Sequence, residues 1–145
     1  MGTAAPTPPR DVRRWIYGGL DVVFAITYAL CVAVVIPNRL PSGMLHLWVL
    51  PVATAVMAVG TLMGTPTGRR IALAGGAALI AAVVLMILRL VVSAAFLAGV
   101  YGAYGKAASS LTLVAVALLV ELVGLLPLVQ VKWLMSRAGR RAYGV

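Results

Sequence analysis

IALAGGAALIAAVVLMILRLVVSAAFLAGV (71–100) and AASSLTLVAVALLVELVGLLPLVQVKWLM (107–135) are two long apolar runs joined by the short link YGAYGK (101–106). Each carries one ionisable residue near its middle, Arg89 on the first and Glu121 on the second. Arg89 lies 15 residues before Tyr104 and Glu121 lies 17 after it. At about 1.5 Å per helical residue their depths differ by roughly 3 Å. A lone charge at mid-membrane costs about 2.5–3.5 kcal/mol on insertion scales, and pairing is the usual way to offset it. The expectation is therefore an Arg89–Glu121 pair that fixes the register of the two helices. The functional alternative is an ion or proton relay, or a substrate-binding pair, in a wet cavity. Arginine stays charged and carries protons poorly, so the relay role would fall to Glu121.

Working outward, the composition agrees with a membrane protein. Of 145 residues 63% are hydrophobic, where an ordinary soluble domain is about half apolar, and the mean hydropathy is +1.07. The formal charge is +9. Its basic residues flank the apolar runs, which is the pattern of membrane insertion rather than of nucleic-acid binding. The richness in Arg over Lys, with abundant Ala, Val, Leu and Gly, points to a high-GC bacterial source.

Four helices are expected, at about 12–36, 44–63, 66–101 and 107–135. Residues 1–10 (MGTAAPTPPR) read as a flexible Pro-rich segment. Asp11 reads as an N-cap to helix 1. That helix is too long for a signal-peptide core and is expected to remain as an uncleaved span. Pro37 stops it, Ser42 can cap helix 2, and Pro51 should kink helix 2 or free one of its carbonyls. Thr65 with Pro66 behind it is a helix start, Pro at the first position losing no needed donor. Helices 3 and 4 exceed the roughly 20 residues that a span requires, so they must tilt, bend or protrude. Gly60, Gly64, Gly76 and Gly99 sit in small-xxx-small pairs, with Ala72 and Ala95 as further partners, and are expected at helix contacts.

The fold class follows: an all-α integral membrane protein, a four-transmembrane-helix bundle with short loops and both termini inside. The domain limits are 1–10 for the leading segment, 11–135 for the bundle and 136–145 for a basic cytoplasmic tail. With the N-terminus inside, nine Lys and Arg lie on inner flanks, only Arg39 and Lys106 lie on outer turns, and Arg89 lies in the membrane. That is a strong positive-inside bias and places the chain in a bacterial cytoplasmic membrane. Trp15, Tyr17 and Trp133 fall at the inner boundary, and Trp48, Tyr101 and Tyr104 at the outer.

Chemistry is sparse. The only cysteine is Cys31 and the only histidine is His46. No intrachain disulfide, His/Cys metal centre or bis-histidine haem can be built, and no cofactor is expected. No catalytic constellation or phosphate-cradling loop is present, so the chain reads as non-enzymatic. Asp21 is a secondary polar candidate, expected to snorkel inward or to pair with Lys132 or Arg70. His46 and Lys132 are further candidates at the boundaries. The leading expectation is an oligomerising or accessory subunit of a membrane complex, its partners being anionic lipid at the cytoplasmic face and copies of itself or other subunits. The alternative is a small ion- or proton-coupled transporter or channel using Glu121 and Arg89. A lipid- or quinone-handling enzyme is third. Nucleic acid is not expected as a partner.

Overall fold

The computed structural model describes residues 12–35 and 41–145, without the side chains of Val35, positions 41–46, Leu119 and Leu122. Residues 1–11 and 36–40 therefore fall outside it, and with them the expected cap at Asp11 and stop at Pro37. Among the described residues every element is helical: α1 (Val12–Leu30) continued by a π turn (Cys31–Val35), α2 (Pro41–Met63), α3 (Pro66–Val100), α4 (Gly102–Leu119), a second π turn (Val120–Gly124), α5 (Leu125–Met135) and the short α6 (Arg137–Ala142). The chain packs as consecutive hairpins, α1 on α2, α2 on α3, and α3 on α4 and α5.

Local chemistry places the boundaries. Thr65 accepts a hydrogen bond from the Gly68 N–H at 3.0 Å, and Pro66 opens α3. Gly64 takes the left-handed conformation, φ 63°, that turns the chain out of α2. The second π turn ends three residues before Pro127, which has no N–H to give the carbonyl of Val123. One loop of wider helix there absorbs the mismatch without ending the run. Ser136 accepts from the Gly139 N–H at 3.1 Å and starts α6.

Small residues set the register. Gly60 of α2 lies directly on the backbone of Gly68 and Ala72 in α3. A Cβ at Gly75 would stand 2.7 Å from the Met57 nitrogen. On the other side of α3, a Cβ at Gly76 would meet Val131 at 2.6 Å, and one at Gly124 would meet Val83 at 3.7 Å. Gly18 brings α1 against Leu62, and Arg14 covers Gly64. Gly99, in contrast, faces open space, so it makes no helix contact within the chain.

Two helical stretches, Val12–Val34 and Pro66–Val100, are long and apolar enough to cross a membrane. The remaining apolar helices are shorter, Leu47–Met63, Gly102–Leu118 and Leu125–Met135. The last expected span is thus divided at the π turn, and the described apolar stretch of α2 is shorter than a span requires, so two of the four expected spans meet the length and composition of a crossing among the described residues. From the Met57–Gly75 contact, α2 begins level with about Val91. Straight extension carries α3 nine residues, about 14 Å, beyond that level.

The C-terminal residues do not hang free. Tyr143 is buried, donates to the Thr61 carbonyl at 3.0 Å, and packs with Trp133 at a ring separation of 6.1 Å. Arg69 Nε donates to the Leu134 carbonyl at 2.9 Å. Ala72, Trp133, Leu134 and Tyr143 form the buried cluster at this end, flanked by Tyr17 and Leu73.

Candidate functional site

Two places in the fold bring polar chemistry together with apolar surroundings, and neither is an Arg89–Glu121 bridge. The first lies between α1 and α5. Asp21 is 2% exposed and Gln130 is 1% exposed. Gln130 Nε2 donates to Asp21 Oδ1 at 2.8 Å and more weakly to the Tyr17 carbonyl at 3.3 Å. Burial of a carboxylate is unfavourable unless hydrogen bonds replace lost water. Here one oxygen is served and the other is not: Asp21 Oδ2 and Gln130 Oε1 find no partner among the described residues.

Helical periodicity puts the neighbours there. Asp21, Phe24 and Tyr28 follow at the three- and four-residue spacing of one α1 face. They line a small pocket of about 10 Å³, near the size of one water, together with Thr54, Leu79, Val123, Leu126 and Pro127. Thr54 spends its hydroxyl proton on the Leu50 carbonyl at 2.8 Å, one residue before Pro51. Tyr17 and Trp133 pack beside the pair with ring centroids 5.4 Å apart and planes tilted by 57°. This arrangement can hold α1 and α5 in register and present two carbonyl-type oxygens to a small polar guest. It holds no nucleophile and base together, and no group of three His, Cys, Asp or Glu exists among the described residues.

Asp21 was expected to reach inward to solvent or to a cation. It turns instead to Gln130, because the facing helix α5 sets an amide within hydrogen-bond distance. Lys132 and Arg70 are exposed. Gln130 drew no attention in the sequence, since a neutral amide in an apolar run alters neither charge nor periodicity. Its polarity within a span was the available signal.

The second place is the C-terminal half of α3. Arg89 is exposed and stands at an open cleft of about 280 Å³, lined with Val49, Ala78, Ala81, Ala82, Leu85 and Met86. Glu121, in the π turn, is also exposed. Neither makes an ion pair or side-chain hydrogen bond among the described residues. Three residues from Gly124 to Glu121, and three from Val83 to Met86, set Glu121 level with Met86. Arg89 is about 4.5 Å further along α3. Their heights are close, yet Arg89 opens beside α2 whereas α4 and α5 pack on another side of α3. Arg89 is also level with the first turn of α2, so it marks the end of the α1–α2 hairpin where α2 begins rather than its middle. The side chain of His46 lies outside the described residues. Comparison with protein-family models, with curated proteins and with solved structures finds no match to this chain.

Proposed function

We propose that this chain is a four-span membrane protein, both termini on the cytoplasmic side of a bacterial inner membrane. It acts as a non-enzymatic, oligomerising or accessory subunit of a membrane complex. The observation that carries this is the apolar outer surface of its helices. Val52 and Val59 of α2, Leu111 and Val114 of α4, and Leu125 and Leu128 of α5 are exposed, whereas Asp21, Thr54, Thr61 and Gln130 are buried among apolar residues such as Met57, Leu79 and Leu134. Helices with wide apolar outer faces and their few polar groups turned inward suit lipid, not water. The shorter elements share this property with the two long ones. The helical run from Gly102 to Met135 is continuous through its π turn and counts as one crossing. The excess of Lys and Arg on the inner flanks supports the orientation, and the same flanks suit anionic headgroups.

A subunit role draws on Arg89 and Glu121. Both are exposed on an apolar surface with no partner among the described residues of their own chain, a placement that a second protein can complete. Native mass spectrometry of the protein extracted gently from its own membrane tests this. The expected result is a discrete assembly, of this chain alone or in fixed ratio with another. A bare monomer contradicts the proposal.

A transporter is the second reading, and Asp21 favours it more than Glu121 does. A buried carboxylate with one unserved oxygen, beside the unserved oxygen of Gln130, is a place for a small cation or proton in transit. Its mark is a flux that disappears with Asp21→Asn while the fold is kept.

A further inference from the structure

We infer that the Arg89 cleft receives the Glu121 ridge of a second copy of this chain, head to tail in the membrane plane, with Arg89 of one copy paired to Glu121 of the next. The inference rests on the membrane-subunit reading and names its partner.

The two surfaces fit in shape. Ala78, Ala81 and Ala82 form a shallow wall on α3, with Val49 of α2 opposite and Leu85 above. Small residues of this kind let a neighbouring helix approach closely. On the other limb, Val120, Glu121, Leu125 and Leu128 are all exposed. They project from the π turn and the start of α5, where the helix is locally widened. One surface is a groove with alanine walls, and the other is a ridge of branched apolar side chains.

They also fit in charge. Among the described residues the cleft is apolar apart from a single guanidinium, and the ridge is apolar apart from a single carboxylate. Each is unpartnered among the described residues of its own chain. An isolated charge on a lipid-facing surface is unfavourable, and an Arg–carboxylate pair is the geometry that relieves both at once. A lipid phosphate would serve Arg89 and leave Glu121 bare. Another copy serves both.

They fit in height as well. Copies related by rotation about the membrane normal keep every residue at its own depth. By the Val83–Gly124 register, Glu121 is level with Met86, Leu125 with Ala82 and Leu128 with Leu79. The ridge thus spans the same levels as the cleft wall, and Arg89 lies one turn above Glu121, within reach of a long side chain. Cleft and ridge lie on different sides of the bundle. The contact is therefore heterologous, and repeating it closes a ring or extends a row.

Cysteine cross-linking between copies tests the inference in the full-length protein. In a Cys31→Ser background, one tagged copy carries Ala81→Cys and a differently tagged copy carries Leu125→Cys. The expected result is a cross-linked dimer bearing both tags, at least tenfold more abundant than from either variant alone. Arg89→Glu should reduce it severalfold, and Arg89→Glu with Glu121→Arg in every copy should restore it. These charge changes lie on exposed positions and leave the interior alone. An assembly in native mass spectra that gives no such cross-link overturns this interface while leaving the subunit reading intact. A monomer in native mass spectra overturns both. Cross-linking of Ala81→Cys to a different protein, or a retained lipid in the cleft of an uncross-linked chain, overturns the second copy as its occupant.

Discussion

At the scale of the residue, the interior is organised by the hydrogen bond between Gln130 and Asp21. Gln130→Leu leaves a buried carboxylate without its donor, and such orphaning costs about 1–3 kcal/mol or more. Asp21→Asn keeps a polar partner for the amide and should be milder. Asp21→Leu with Gln130→Leu removes both polar groups together and should recover much of the single-mutant loss. Thermal unfolding in detergent checks the order: Gln130→Leu lowest, the double variant above it, Asp21→Asn closest to the parent. A double variant less stable than Gln130→Leu would show that the pair does more than satisfy itself. The sequence displayed Asp21 as a charge in an apolar run. It did not display its partner, because counting charges is blind to an amide. The opposite failure occurred at Arg89 and Glu121. Residue counting brings them to similar heights, and they are at similar heights. Counting along a chain sets a residue's height and leaves open which side of its helix it occupies, and Arg89 lies on the side of α3 that opens beside α2.

At the scale of the element, α2 and α3 meet through backbone, not through large side chains. Gly60 leaves no room for a Cβ against Gly68 and Ala72, whereas Gly99 leaves all the room it needs. Gly60→Ala must push the two helices apart, a strain of about 1–3 kcal/mol. Gly99→Ala should be neutral or stabilising by roughly 0.5–1 kcal/mol, since alanine is the better helix former. Denaturation of both variants in detergent checks the contrast, and equal effects would mean that the close approach is not tight. Thr65 and Pro66 announce the start of α3 in the sequence because capping is local chemistry. The small-residue motif at Gly60 and the one at Gly99 look alike on the page. Only the neighbouring helix distinguishes them, and α3 outruns α2 before Gly99 is reached.

At the scale of the whole molecule, an apolar surface wraps a short list of buried polar groups. The tip of the α3–α4 hairpin is thinly covered, with Phe96 64%, Tyr104 90% and Leu111 72% exposed. The all-helical fold was legible because long apolar runs separated by Pro, Gly and capping residues permit little else. The number of crossings was less so: a run interrupted by a π turn and a helix of middling length read differently by length than by surface. Side-specific labelling of single cysteines in intact cells, in a Cys31→Ser background, addresses this most directly. Arg39→Cys, Thr67→Cys and Tyr104→Cys sample the three connections. Four spans with both termini inside predict that a membrane-impermeant thiol reagent modifies positions 39 and 104 from outside and reaches 67 only after the cells are opened. Labelling of positions 39 and 67 from the same side would contradict it, because α2 would then not cross the membrane.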